Sequence, residues 1–202
     1  MIYFHPSSAN VWEDINTNFI GFIASPRCVN YRIINSIKFW CGDNGSFTNV
    51  FEEDKFFCFL DRMLPYKEKC KFIACPDTLC DPVDTMKKWE LYAERIKNLG
   101  YPVAFVCQDG QENLPFPSNY DALFIGGSTE WKLGGGALQC IREAKKNNKF
   151  VHVGRVNSLK RVKHFMLEGV DSVDGTHVCF EPDKAIERIK KWMRFQPLWK
   201  GE

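Results

Sequence analysis

Three aspartates stand where short apolar segments give way to polar turns: Asp43 in Gly42-Asp43-Asn44-Gly45, Asp77 in Ala74-Cys75-Pro76-Asp77, and Asp174 in Ser172-Val173-Asp174-Gly175. Two comparable segments end on the amide of Gln108 and on the pair Gly126-Gly127. Carboxylates gathered in one site suit displacement and proton transfer, because one can attack or accept while the other handles the departing group's proton. An amide both donates and accepts, and glycine lets backbone approach a planar ligand closely. Each residue also has a plainer reading. Asp174-Gly175 is ordinary turn chemistry, Asp43 can cap the Asn44-Gly45 loop, and Gln108 can satisfy backbone at a strand end. Gly126-Gly127 can be a tight turn or a phosphate cup.

The elements that must hold these residues recur at intervals of roughly 20–35 residues. Eight apolar or β-rich segments are predicted as strands: Met1–His5, Phe19–Ala24, Ile37–Cys41, Lys71–Cys75, Val103–Cys107, Ala122–Ile125, Phe150–Val153 and Asp171–Val173. Helical spacing fills Asp84–Leu99, Gly136–Asn147, Ser158–Leu167 and Pro182–Arg194. Pro82 opens the first of these and Gly100 stops it; Asn157-Ser158 caps the third, whose Val162, Phe165 and Met166 form an apolar stripe. Strands alternating with helices imply a parallel sheet, and eight units imply a compact, trimmed (β/α)8 barrel of the TIM type. An open doubly wound α/β sheet is the alternative. In a barrel the chemistry sits at the C-terminal strand ends, where the polar residues above fall.

The chain has 202 residues, of which 45% are hydrophobic and 26% charged, a composition that sets disorder aside and suits one barrel domain over 1–202. No apolar run is long enough for a bilayer, and Met1-Ile2-Tyr3-Phe4-His5 lacks the marks of a secretory signal, so the expectation is a cytoplasmic protein with no membrane partner. Nine cysteines are then reduced thiols, not a disulfide framework. The net charge of +2 conceals an asymmetry: residues 141–202 hold fourteen Lys and Arg against eight Asp and Glu. That hints at an anionic partner, although solvated lysine-rich helices give the same count.

Taken in order, these strand ends resemble the tRNA-guanine transglycosylase family. Its Asp-Ser-Gly-Gly-Phe motif is approximated by Asp43-Asn44-Gly45-Ser46-Phe47, and an aspartate after its next strand by Asp77. Its Gln-Gly-Gly segment is similar to Gln108-Asp109-Gly110, and its Gly-Gly-Leu to Gly126-Gly127-Ser128. The segment Gly169-Val170-Asp171-Ser172-Val173-Asp174-Gly175 parallels its Gly-x-Asp-x-Phe-Asp-Cys around the nucleophile, after Val151-His152-Val153-Gly154. The resemblance covers about residues 37 to 195. Two departures matter. The family's zinc module is missing, since only Cys179 follows Asp174 and the Cys75/Cys80 spacing is too loose for a metal. The chain is also short, which is more similar to the zinc-free DNA-guanine transglycosylases of phages and bacteria.

That resemblance implies replacement of guanine in a polynucleotide, DNA ahead of tRNA, by a 7-deazaguanine derivative such as preQ0. Asp174 would be the nucleophile of an aspartyl-glycosyl intermediate, and Asp43 the second carboxylate. Asp77, Gln108, Gly126, Gly127 and Phe47 would hold the base; Arg155, Lys160, Arg161 and Lys163 would clamp phosphates. No metal and no cofactor is implied, localisation would be the cytoplasm (the host's, for a phage protein), and the oligomeric state stays open. Asp171 reads as a structural strand-entry residue. Two other readings remain. One is a barrel enzyme acting on a small sugar phosphate, with Gly126-Gly127 and Gly154 as the phosphate loop. The other is a nucleic-acid-binding relative without turnover.

Overall fold

The structure, a computed structural model, describes residues 1–6, 18–46, 50–180 and 182–194. Eight strands are present: β1 Ile2–His5, β2 Ile20–Ala24, β3 Trp40–Gly42, β4 Cys70–Ala74, β5 Val103–Cys107, β6 Ala122–Ile125, β7 Phe150–Val153 and β8 Ser172–Asp174. Each pairs in parallel with the next, and β8 returns to β1 through Val173–Tyr3 and Asp174–Phe4. The sheet is therefore a closed (β/α)8 barrel, and the open-sheet alternative falls away. β5, β6 and β7 match the predicted segments. The third segment instead shifts to β3, because Ile37 ends a helix by returning its N–H to the carbonyl of Ile33.

The helices are α1 Tyr31–Ser36, α2 Glu53–Met63, α3 Pro82–Asn98, α4 Thr129–Lys132, α5 Gly135–Lys146, α6 Leu159–Leu167, α7 His177–Phe180 and α8 Pro182–Met193. Side-chain caps open several of them. Asn30 accepts from Ile33 N–H, Asp81 from Asp84, Ser128 from Trp131, and Ser158 from Arg161, each worth about 1 kcal/mol. Gly100 ends the α3 region at φ +88°, a left-handed conformation that a side chain would disfavour. Trimming is plainest between β5 and β6, which are joined through a single 3-10 turn, Gln111–Asn113.

Alternation along the strands divides the core in two. Phe4, Ile23, Cys41, Phe72, Ala104 and Ala122 fill the barrel axis, with Phe124 and Phe150 packed against them. The other face of each strand, including Trp40, Ile73, Phe105, Leu123, Val151 and Val173, packs in the shell under the helices. Each phenylalanine buried this way contributes about 2–3 kcal/mol. The axis is thus plugged by aromatic rings below, and its upper end is left to small and polar residues. All nine cysteines are free; Cys41, Cys70, Cys75, Cys107 and Cys140 are buried, in keeping with reduced thiols used as small hydrophobes. No helix among the described residues is long and apolar enough to cross a membrane.

Candidate active site

Above the aromatic plug, at the C-terminal strand ends, lies a cavity of about 490 Å³, within the range of small-molecule sites. Asp43, Asp77, Asp174, Gln108, Gly126 and Arg155 all line it, so the barrel brings together residues 131 positions apart in the chain. Asn44, Gly154, Asn157 and Thr176 complete the polar wall.

Asp174 is the last residue of β8 and points inward. Its Oδ2 lies 2.9 Å from Nε2 of His152, and its Oδ1 accepts the backbone N–H of Arg155 at 3.0 Å. His152 is wholly buried on β7, its ring stacked on Phe124 (centroids 4.6 Å apart) and close to Phe72 and Phe4. Burial pushes its pKa below the ordinary value, against the opposing hydrogen bond and charge of Asp174. The imidazole is therefore neutral. Donation from Nε2 to the Asp174 carboxylate leaves Nδ1 to accept from the Ser172 hydroxyl at 2.8 Å. Glycine at 154 suits this arrangement, since a Cβ there would lie 3.1 Å from the Phe124 ring and 3.3 Å from Asp174 Oδ2, and both would have to shift by a few tenths of an ångström.

Asp43 combines both of its sequence readings. Its Oδ1 accepts the Gly45 N–H at 2.7 Å, which is the loop cap, while the carboxyl also lines the cavity. Burial raises its pKa to about 6; the Gly45 hydrogen bond lowers it, and the charges of Asp174 and Asp77 raise it further. A carboxyl titrating near neutrality is a competent proton-transfer group.

Asp77 sits in a closed amide network. Its Oδ1 accepts from Asn44 Nδ2 (2.7 Å) and its Oδ2 from Gln108 Nε2 (2.6 Å). Gln108 Oε1 in turn accepts the N–H groups of Cys80 (2.9 Å) and Gly127 (3.0 Å). Burial raises the Asp77 pKa, opposed by the Asn44 hydrogen bond and by Lys88 and Arg155. The glycines expected to form a phosphate cup are also committed within the fold. Gly126 N–H donates to Cys107 O, Gly127 N–H to Gln108, and Gly154 N–H to Ile125 O. Gly126-Gly127 is thus a tight turn whose amides are already satisfied.

Arg155 lines the cavity from the end of β7, in a left-handed conformation at φ +61°. Its guanidinium donates to the carbonyls of Gly126 (3.4 Å) and Gly127. Lys160, Arg161 and Lys163 belong to α6 and are outside the cavity lining. Phe47 lies outside the described residues. Sequence reading did not single out His152, Asn44, Asn157 or Thr176. A signal for His152 existed: it stands two residues before Gly154 on a strand, so period-two alternation aims both into the barrel. Among the described residues no three His, Cys, Asp or Glu side chains group as metal ligands.

No family model and no curated protein matches the chain. Solved structures do. The 3-hexulose-6-phosphate synthase from Salmonella typhimurium superposes with a TM-score of 0.56 at 15% identity, covering 96% of this chain and 97% of that one. A native KDPGal structure gives a TM-score of 0.53 at 10% identity, covering 96% of each chain. The shared feature is the barrel fold.

These matches overturn the resemblance to guanine transglycosylases, and with it DNA or tRNA as substrate, the 7-deazaguanine base and a phage setting. The geometry gives a physical reason. Of the groups assigned to read a purine edge, Gln108 and the Gly127 N–H spend their hydrogen bonds within the fold, on each other and, for Gln108, on Cys80 and Asp77. The nucleic-acid clamp assigned to Arg155, Lys160, Arg161 and Lys163 goes with that partner.

Proposed function

We propose that this chain is an enzyme acting on a small sugar phosphate, moving a proton at the carbon beside the sugar's carbonyl group. The observation that carries the reading is that carboxylates, amides and a guanidinium line one sugar-sized cavity together. Asp43, Asp77 and Asp174 supply the carboxylates, Asn44, Gln108 and Asn157 the amides, and Arg155 the guanidinium. A phosphorylated sugar carries the matching groups: hydroxyls that carboxylates and amides recognise, and a dianion that a guanidinium recognises. The similar fold named for a hexulose 6-phosphate supports a substrate of this class.

In this mechanism Arg155 holds the phosphate, and Asp77, fixed by Asn44 and Gln108, offers its remaining lone pairs to the hydroxyls. Asp43, ionised above about pH 6, takes the proton from carbon. The C–H electron pair moves toward the carbonyl carbon as the carbonyl oxygen gains charge, and Asp43 returns the proton in the next step. Asp174, fixed by His152 and the Arg155 N–H, accepts a substrate hydroxyl and keeps the reacting carbon against Asp43.

Calorimetric titration with a panel of pentose and hexose monophosphates tests the reading. At least one should bind roughly tenfold or more tightly than its unphosphorylated parent, a difference of about 1.4 kcal/mol, and Arg155→Met should abolish that preference. Failure of every member to bind would remove the proposal, as would a phosphate preference that survives in Arg155→Met.

A further inference from the structure

Beneath the cavity, on α4, lies a lysine that the mechanism above does not use. Lys132 is 3% exposed, and its Nζ donates to the carbonyl oxygen of Gly154 at 2.7 Å. It does not line the cavity, so it does not meet the substrate. That carbonyl belongs to the peptide group whose N–H is that of Arg155, and the Arg155 N–H donates to Asp174 Oδ1 at 3.0 Å. One planar peptide unit is therefore gripped at both ends, by an amine on its oxygen and by a carboxylate on its N–H. The grip falls where the backbone is strained, since Arg155 is a non-glycine residue at φ +61°. Such conformations cost on the order of 1 kcal/mol and persist when surrounding contacts hold them.

We infer that Lys132 is a positioning residue that acts on Asp174 through the Gly154–Arg155 peptide. A cation on the carbonyl draws electron density toward oxygen and makes the N–H of the same unit a stronger donor to the carboxylate, as in any polarised hydrogen-bond chain. It also keeps that peptide from turning over, so the N–H stays aimed at Asp174. The charged groups around the ammonium fit a tuned role. Burial lowers the pKa of Lys132 to about 8. Arg155, at the end of β7, and Arg161, on α6, lower it too, while Asp174, on β8, and Asp109, after β5, oppose them. The relay is thus largely charged at neutral pH and weakens on the alkaline side.

The consequence for catalysis rests on the proposed role of Asp174, but the relay itself is measured without substrate. In wild-type protein, the Arg155 amide proton and nitrogen shifts are followed by NMR from about pH 6 to pH 10, a range that spans a shifted lysine. They should move with a midpoint near 8. In Lys132→Met that transition should vanish, and exchange of the Arg155 amide with solvent should quicken by roughly tenfold or more. Far-UV circular dichroism and strand amides distant from β7 should be unchanged. Lys132→Arg, which keeps a donor and a charge, should restore the slow exchange but not the midpoint. A flat wild-type response, or a transition that persists in Lys132→Met, would overturn the inference, whether or not sugar phosphates prove to be substrates.

Discussion

The two rims of the barrel use the same side chain for opposite ends. At the N-terminal rim, Asp121 and Asp171 each accept an N–H near the start of the preceding odd strand, from Val103, the first residue of β5, and Val151, the second of β7, both at 2.8 Å. Asp171 also meets Lys145 at 2.7 Å. These carboxylates close strand ends that would otherwise leave amides unpaired, and part of each remains in contact with solvent. At the C-terminal rim, Asp43 and Asp77 line a cavity, and burial raises the pKa of both. A carboxylate on the lower rim satisfies the fold. Asp43 and Asp77 on the upper rim are held where their charge is costly, the usual mark of groups kept for chemistry.

Substitutions can break that contrast. Asp43→Asn should lower turnover of the sugar phosphate by about 10²–10⁴-fold, the contribution of a positioned proton-transfer group, while Asp171→Asn should leave turnover within about twofold. Steady-state kinetics on the two variants side by side would decide it. Equal losses would mean that the rims do not differ in kind.

The pH dependence sharpens the same point. Turnover should fall as pH drops through about 6, where Asp43 takes up its proton, and Asp43→Glu should move or broaden that limb. A rate flat from pH 5 to pH 8 would remove Asp43 as the base.

Stability should show the opposite order. Asp171→Ala leaves the Val151 N–H without its acceptor and should cost about 1–3 kcal/mol in urea unfolding. Asp43→Asn should instead raise stability. Because the folded pKa of Asp43, about 6, lies above the ordinary carboxylate value, the folded state binds more protons between those two values. Wild-type stability therefore falls as pH rises through that window, and the variant escapes the loss. The gain should be about 1–2 kcal/mol at pH 8 and absent below about pH 3.5.

Much of this was legible in the residues. Eight apolar segments with polar ends gave the closed barrel, because strand alternation and turn chemistry are local properties. The same logic brought Asp43, Asp77, Gln108, Gly126, Arg155 and Asp174 to one cavity and kept Asp171 out as a strand-entry residue. What the residues did not reveal was how their hydrogen bonds are spent. Gln108 and the Gly127 N–H were assigned to a base, yet they satisfy one another across 19 positions of sequence. Motif order could not expose that, since it depends on β5 and β6 lying side by side. His152 and Lys132 were missed for a related reason. Each acts on Asp174 from a different element, and neither sits in a recognisable motif.

The most direct test of the central claim is proton exchange. Wild-type protein is incubated with each sugar phosphate that binds, in deuterated buffer, and the hydrogen beside the carbonyl is followed by proton NMR. This signal should disappear for at least one substrate, Asp43→Asn should stop the loss, and Asp171→Asn should not. Retention of that hydrogen in every bound sugar phosphate, by folded wild-type protein, would contradict the claim.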